Sequence, residues 1–168
     1  MGWRNEVTIA LPDKYIVALA PHTSNWDFIL GQLYSRAESF RCQFMMKKEW
    51  FRFPLGGLMR RLGGIPVERS RKTSLTDQLA QVARSSDTFA LCITPEGTRK
   101  PVSEWKNGFY YIALKANIPI LLFGLDYATK RIVCTKSILP NGDIEAQMPE
   151  IREYFRQFQG KHPENFIP

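Results

Sequence analysis

A chain of 168 residues, 44% of them hydrophobic, is long enough to bury one core, which excludes a mini-protein held together by disulfides or a metal. Its apolar runs all fall short of the ~20 residues that a membrane-spanning helix needs, so no such helix is expected. The net charge of +7 lies wholly within residues 41–72, where nine Lys or Arg stand against two Glu; the rest of the chain carries 14 of each sign.

In chain order, YIVALA (15–20) is an apolar run that reads as a buried strand. SNWDFILGQLYSRAESF (24–40) follows as a helix, with Ser24 or Asn25 as its cap and Phe28, Ile29, Gln32 and Leu33 at helical spacing. CQFMMK (42–47) reads as a second strand. EWFRFPLGGLMRRLGG is broken by Pro54 and two glycine pairs, which predicts short helices ending at Gly63. IPVER is a short strand, and SLTDQLAQVARSS is a capped amphipathic helix with Leu75, Leu79 and Val82 on one stripe. TFALCIT (88–94) is a buried strand and GFYYIALKAN (108–117) a helix. IPILLFGLDY and KRIVCTKSIL read as two strands joined by a short turn near Ala128–Lys130. A final amphipathic helix is expected over 149–159, with Ile151, Tyr154, Phe155 and Phe158 inward. Strands alternating with helices predict a single domain over 1–168 with a three-layer α/β fold, its mixed, largely parallel sheet flanked by helices.

The opening, MGWRNEVTIALPDKYIVALA, does not read as a signal peptide, because acids interrupt it and its apolar run is short. Glu6 stands where a myristoylation signal wants Ser or Thr. Cys42, Cys92 and Cys134 are scattered and form no CxxC pair, which suits buried thiols in a reducing compartment. The expectation is a cytoplasmic protein without a lipid anchor.

Four stretches carry candidate chemistry. In PHTSNWDF (21–28), His22 and Asp27 are five residues apart. Inside one regular helix they would be separated by about 140° and would not meet. With His22 at a strand end and Asp27 in the first helical turn, the carboxylate reaches the ring, fixes its tautomer and leaves the other nitrogen as a base. The same residues would also suit a loop histidine and an acid that merely favours the helix N-terminus. In ITPEGTRK (93–100), Gly97 lets the backbone turn, Thr98 offers a hydroxyl and Arg99 a planar fork for phosphate or carboxylate, with Glu96 beside them. An ordinary strand-end turn with an exposed ion pair would read alike. LGGIPVERS (62–70) places Arg69 beyond a strand, as a second cation or a solvated one, and Lys106 precedes the helix at 108. A serine-hydrolase reading is poorly supported: Ser24 lies two residues from His22, and no G-x-S-x-G elbow is present. Zinc is poorly supported as well, because the two histidines and three cysteines form no ligand cluster.

Together these pieces resemble the glycerolipid acyltransferase family, the lysophosphatidic acid acyltransferase-like enzymes. His22 and Asp27 match its H-x4-D pattern. GGIPVERS looks like its glycine-rich second block, with Glu68 where Asp is more usual. Pro95–Arg99 reproduces P-E-G-T-R whole, and IPILLF from Ile118 looks like the fourth block. The resemblance spans residues 15 to about 127. It implies phospholipid biosynthesis by direct acyl transfer from acyl-CoA or acyl carrier protein, as co-substrate, to a lysolipid hydroxyl, with no further cofactor and no metal. His22 would take the acceptor proton and Asp27 would orient it. Arg69, Glu96, Gly97, Thr98, Arg99 and Lys106 would bind substrate. Backbone amides near the start of the helix at Ser24, or Lys106, are the candidates for holding the oxyanion. A non-catalytic lipid- or acyl-carrier-binding protein on the same scaffold is the alternative.

Family members often carry an N-terminal membrane helix, which this sequence lacks, so membrane access is expected through its surface. Trp50, Phe51, Phe53, Leu55, Leu58 and Met59 interleave with Lys47, Lys48, Arg52, Arg60 and Arg61. That mixture suits an anionic lipid interface on the inner face of the cell membrane, though a core-packed helix with a basic rim would read alike. Nucleic acid is not expected as a partner, because the patch is apolar as well as basic and no nucleic-acid motif accompanies it.

Overall fold

Strands that carry apolar residues at every position must be covered on both faces, and two such runs build the centre of this sheet. The computed structural model describes residues 2–40, 42–67 and 74–168. Its strands are β1 (Arg4–Val7), β2 (Lys14–Ala20), β3 (Gln43–Lys47), β4 (Gly64–Val67), β5 (Phe89–Ile93), β6 (Ile120–Asp126), β7 (Arg131–Cys134) and β8 (Ser137–Ile138). Its α-helices are α1 (Trp26–Ala37), α2 (Gly56–Arg61), α3 (Leu75–Ser85), α4 (Gly108–Ala116) and α5 (Ile144–Phe155). The strands form one sheet in the order β1-β7-β6-β2-β5-β3-β4, with β8 also beside β6. β6, β2, β5, β3 and β4 run parallel; β7 and β8 run antiparallel to β6, and β1 runs parallel to β7.

The alternation along β2 and β6 divides the core in two. Ile16, Ala18, Ile120 and Leu122 pack with Leu79 of α3, Phe109 of α4, and Ile151 and Phe155 of α5. Tyr15, Val17, Leu121 and Phe123 face the other way, toward Leu30 and Tyr34 of α1 and toward Phe40. The fold is therefore the three-layer α/β arrangement with a mixed, mostly parallel sheet that the sequence predicts.

The differences are local. β1 was not anticipated; three of its four residues, RNEV, are polar, and it pairs with β7 at the sheet edge. The strand expected over 130–139 is split, because Gly124 faces Val133 whereas Ile120 faces Ile138. One extra residue therefore sits between those pairs, a bulge at Thr135–Lys136. α5 begins at Ile144 rather than 149: the Asp143 side chain accepts from the Ala146 N–H, and Pro149 lies inside the helix. In α3 the buried face is Leu79, Ala80 and Ala83, while Val82 is 46% exposed. The small alanines let α3 lie close against α4. In α1, Phe28, Ile29 and Leu33 all keep substantial exposure, and the buried residue is Asp27.

Candidate active site

Parallel strands deliver their following loops to one end of the sheet, where open α/β sheets bind ligands. Here the adjacent strands β6, β2 and β5 deliver Tyr127, His22 and Glu96 in that way.

After β2 the chain turns through residues 21–25 and enters α1. Asp27 stands in the first turn of α1 with its side chain fully buried, and it reaches back into that loop. The backbone N–H groups of Thr23 and Ser24 each donate to Asp27 Oδ2 at 2.9 Å. His22 Nδ1 lies 3.1 Å from the same oxygen. The Tyr127 hydroxyl donates to Oδ1 at 2.7 Å. Burial alone pushes the Asp27 carboxyl up, but the bonds from His22, Tyr127 and Ser24 outweigh it and hold the group below the usual carboxylate range. An ionised carboxylate only accepts, so Nδ1 of His22 carries the proton and Nε2 keeps its lone pair. The His22 side chain is 20% exposed, so the ring is open on one side.

Three amides near the helix start are already engaged. Thr23 and Ser24 spend theirs on Asp27, and Trp26 donates to the Ser24 hydroxyl at 3.2 Å. These three amides are therefore not open to an oxyanion, because the loop uses them to hold its acid and its own turn. Ser24 thus braces the turn through its hydroxyl, while the formal cap residue, Asn25, makes no side-chain cap bond.

Glu96 lies in the turn after β5 and is 4% exposed. Its Oε1 accepts the His22 backbone N–H at 2.8 Å, and its Oε2 finds no partner among the described residues. Burial pushes its pKa up to about 7, against the bond from the His22 amide. The carboxyl therefore holds the backbone that carries the imidazole. Gly97 follows with φ +66°, a left-handed conformation that favours glycine. A Cβ there would come within 2.8 Å of the Lys106 Cδ and Cε atoms, so the lysine stem crosses directly over this turn. The Lys106 N–H donates to the Pro95 carbonyl at 2.8 Å, which ties the two loops together. The Thr98 Oγ1 accepts from the Lys100 N–H at 3.3 Å, and Arg99 is exposed. Arg69 lies outside the described residues.

Three contributors carry no sequence pattern. Tyr127 meets Asp27 from 100 residues away. Thr23 accepts from the His162 N–H at 3.1 Å through its buried hydroxyl. Gly160 packs so closely on that loop that a Cβ would lie 2.7 Å from Thr23 Oγ1. The only usable signal was position: Tyr127 follows the end of a central strand that neighbours β2. The ring of His162 pairs instead with Glu164 at 3.6 Å.

An apolar cavity of about 90 Å³ runs between α1 and the sheet, walled by Val17, Leu19, Phe28, Phe44 and Phe123 and touched by Asp27. A second, more open groove of about 280 Å³ lies on the other flank of α1, between Trp3, Trp26, Ile29, Leu33, Tyr127 and Lys161. Among the described residues no cluster of three or more His, Cys, Asp or Glu stands where it would hold a metal ion.

Among known protein families, the one whose model is described as Acyltransferase matches residues 5–124, a stretch that contains His22, Asp27, Pro95–Arg99 and Lys106. No curated protein matches the chain. A match over more than two-thirds of the sequence, running from β1 almost to the end of β6, shows that the chain is an acyltransferase belonging to the glycerolipid acyltransferase family.

Proposed function

We propose that the protein transfers a fatty acyl group from an acyl thioester, acyl-CoA or acyl carrier protein, to a hydroxyl of a lysolipid of the 1-acyl-glycerol-3-phosphate type. The observation that carries this reading is the His22–Asp27 pair at 3.1 Å, with the carboxylate buried and the ring open on one side. His22 Nε2 takes the proton of the acceptor hydroxyl as its oxygen attacks the thioester carbonyl. Asp27 stabilises the imidazolium that forms. The tetrahedral intermediate collapses, the carbon–sulfur bond breaks, and the imidazolium returns its proton to the departing thiolate. The thioester has a good leaving group, so no acyl-enzyme is needed.

Arg99 and Lys106 supply exposed cations for an acceptor phosphate, with Gly97 and Thr98 shaping the turn between β5 and α4; Arg69 is assigned there on the family pattern alone. The apolar cavity beside Asp27 supports a substrate with a hydrocarbon chain. Among the described residues no helix is long and apolar enough to cross a membrane. The protein reaches its lipid peripherally, from the cytoplasmic side, through the basic and apolar surface at residues 48–61.

The test is a panel of lysolipids offered with acyl-CoA and with acyl carrier protein, the lipid product being read by mass spectrometry. General-base catalysis is worth about 10²–10⁴-fold, so His22→Ala should lower turnover by that factor at unchanged folding. His162→Ala should stay within about twofold of the parent, because its ring faces Glu164 rather than the pair. Equal turnover in purified His22→Ala would remove the mechanism.

A further inference from the structure

Tyr127 lies three residues past the matched stretch and belongs to none of the motifs. The two oxygens of Asp27 are loaded unequally. Oδ2 receives the Thr23 and Ser24 amides and His22 Nδ1, whereas Oδ1 receives the Tyr127 hydroxyl. The phenol is itself held firmly. Its backbone N–H donates to the Gln159 carbonyl at 2.8 Å, and its ring meets Trp3 edge-on at 5.0 Å. Burial first, and then the neighbouring carboxylate, keep the phenol proton on well above its ordinary range, so Tyr127 remains a donor throughout neutral pH. Other charged groups approach the pair from each side. Glu96 bonds the His22 amide, Lys106 crosses Gly97, Lys161 stands over the Trp26 ring, and His162 reaches Thr23 through its backbone. None of these donates to Oδ1.

We propose that Tyr127 is a positioning residue that sets how strongly Asp27 holds the His22 ring. The inference rests on the reading of His22 as the base. A hydrogen bond into Oδ1 draws negative charge away from Oδ2, so Oδ2 grips the Nδ1 proton less tightly. The same bond fixes the rotation of the carboxyl, and with it the direction in which Nε2 points.

The experiment is an NMR titration of the His22 ring in the His162→Ala background, where it is the sole histidine, with and without Tyr127→Phe. Removing the hydroxyl should move the His22 midpoint upward by about half a unit or more. The acid limb of kcat/KM should move with it, and kcat near pH 6.5 should fall about twofold to threefold, with both KM values within about twofold. A folded Tyr127→Phe protein with an unmoved midpoint would overturn the proposal and leave Tyr127 a brace. If the phenylalanine variant does not fold, 3-fluorotyrosine at position 127 keeps the ring and strengthens the donor. It should move the midpoint downward, and an unmoved midpoint there is equally decisive against the idea. The titration needs no substrate, so a parent protein that transfers no acyl group would sink the proposed function while the role of Tyr127 is still decided.

Discussion

At the scale of single residues, Glu96 occupies a costly position. One carboxyl oxygen accepts the His22 N–H, and the other is buried without a partner among the described residues. Its pKa rises from an ordinary 4.5 to about 7, with burial as the chief cause. The folded state therefore keeps a proton that the unfolded chain gives up. Stability from this group is complete below pH 4.5 and is lost as pH rises toward and through 7. A shift of that size corresponds to roughly 3 kcal/mol across the window. Glu96→Gln keeps an oxygen for the His22 N–H and removes the titration. Urea unfolding should therefore show the variant gaining about 2–3 kcal/mol relative to the parent between pH 4.5 and pH 8. A difference that stays constant with pH would show that the carboxyl is not raised. The same burial accompanies the bond by which the glutamate of P-E-G-T-R holds the imidazole loop.

At the scale of elements, α1 matters most, because it carries Asp27 and roofs the apolar cavity with Phe28, Gly31, Gln32 and Ser35. Gly31 lies in that roof, and a Cβ there would meet nothing within 4 Å. Glycine inside a helix costs about 1 kcal/mol relative to alanine. Gly31→Ala should accordingly raise the stability by about 0.5–1 kcal/mol with transfer retained. Gly31→Leu should extend into the cavity and shift donor use toward shorter acyl chains, read from the lipid products. Unchanged chain preference in a folded Gly31→Leu protein would separate the cavity from the acyl group. The elements legible in the sequence were those whose pattern is decided locally. β2, β5 and β6 are continuous apolar runs, α4 is apolar on its buried face, and the fold-back of His22 onto Asp27 follows from a strand giving way to a helix within five residues. What stayed hidden depends on partners distant in sequence. β1 is a strand because β7 offers it an edge, α3 turns its alanines inward because α4 lies against them, and Pro149 is carried inside a helix that starts at the Asp143 cap. Tyr127 and Thr23 joined the site through contacts spanning 100 and 139 residues, which no local spacing encodes.

At the scale of the whole molecule, the excess positive charge coincides with one of the groups of exposed apolar side chains. The excess of basic residues lies in 41–72, and within its described part Trp50, Leu55 and Leu58 are about half exposed while Phe53 is 99% exposed. Arg52, Arg60 and Arg61 stand among them on the surface, and Arg60 lies 5.5 Å from the Phe51 ring. A phenylalanine side chain in water forgoes about 1.5–3 kcal/mol that burial would recover. Each nearby cation adds about 1 kcal/mol against an anionic lipid surface. A bilayer interface satisfies both terms at once, since it accepts the rings into its apolar boundary and the guanidinium groups among its headgroups. Flotation with vesicles should therefore recover the protein on anionic lipid well above neutral lipid, and added salt should lower the anionic fraction. Phe53→Ser should weaken the binding to both kinds of vesicle by about tenfold, because it removes apolar transfer and leaves the charge in place. Replacing Arg52, Arg60 and Arg61 by Gln should instead abolish the preference between them. Equal recovery on the two lipids, or a Phe53→Ser protein that binds as the parent does, would detach this surface from the membrane.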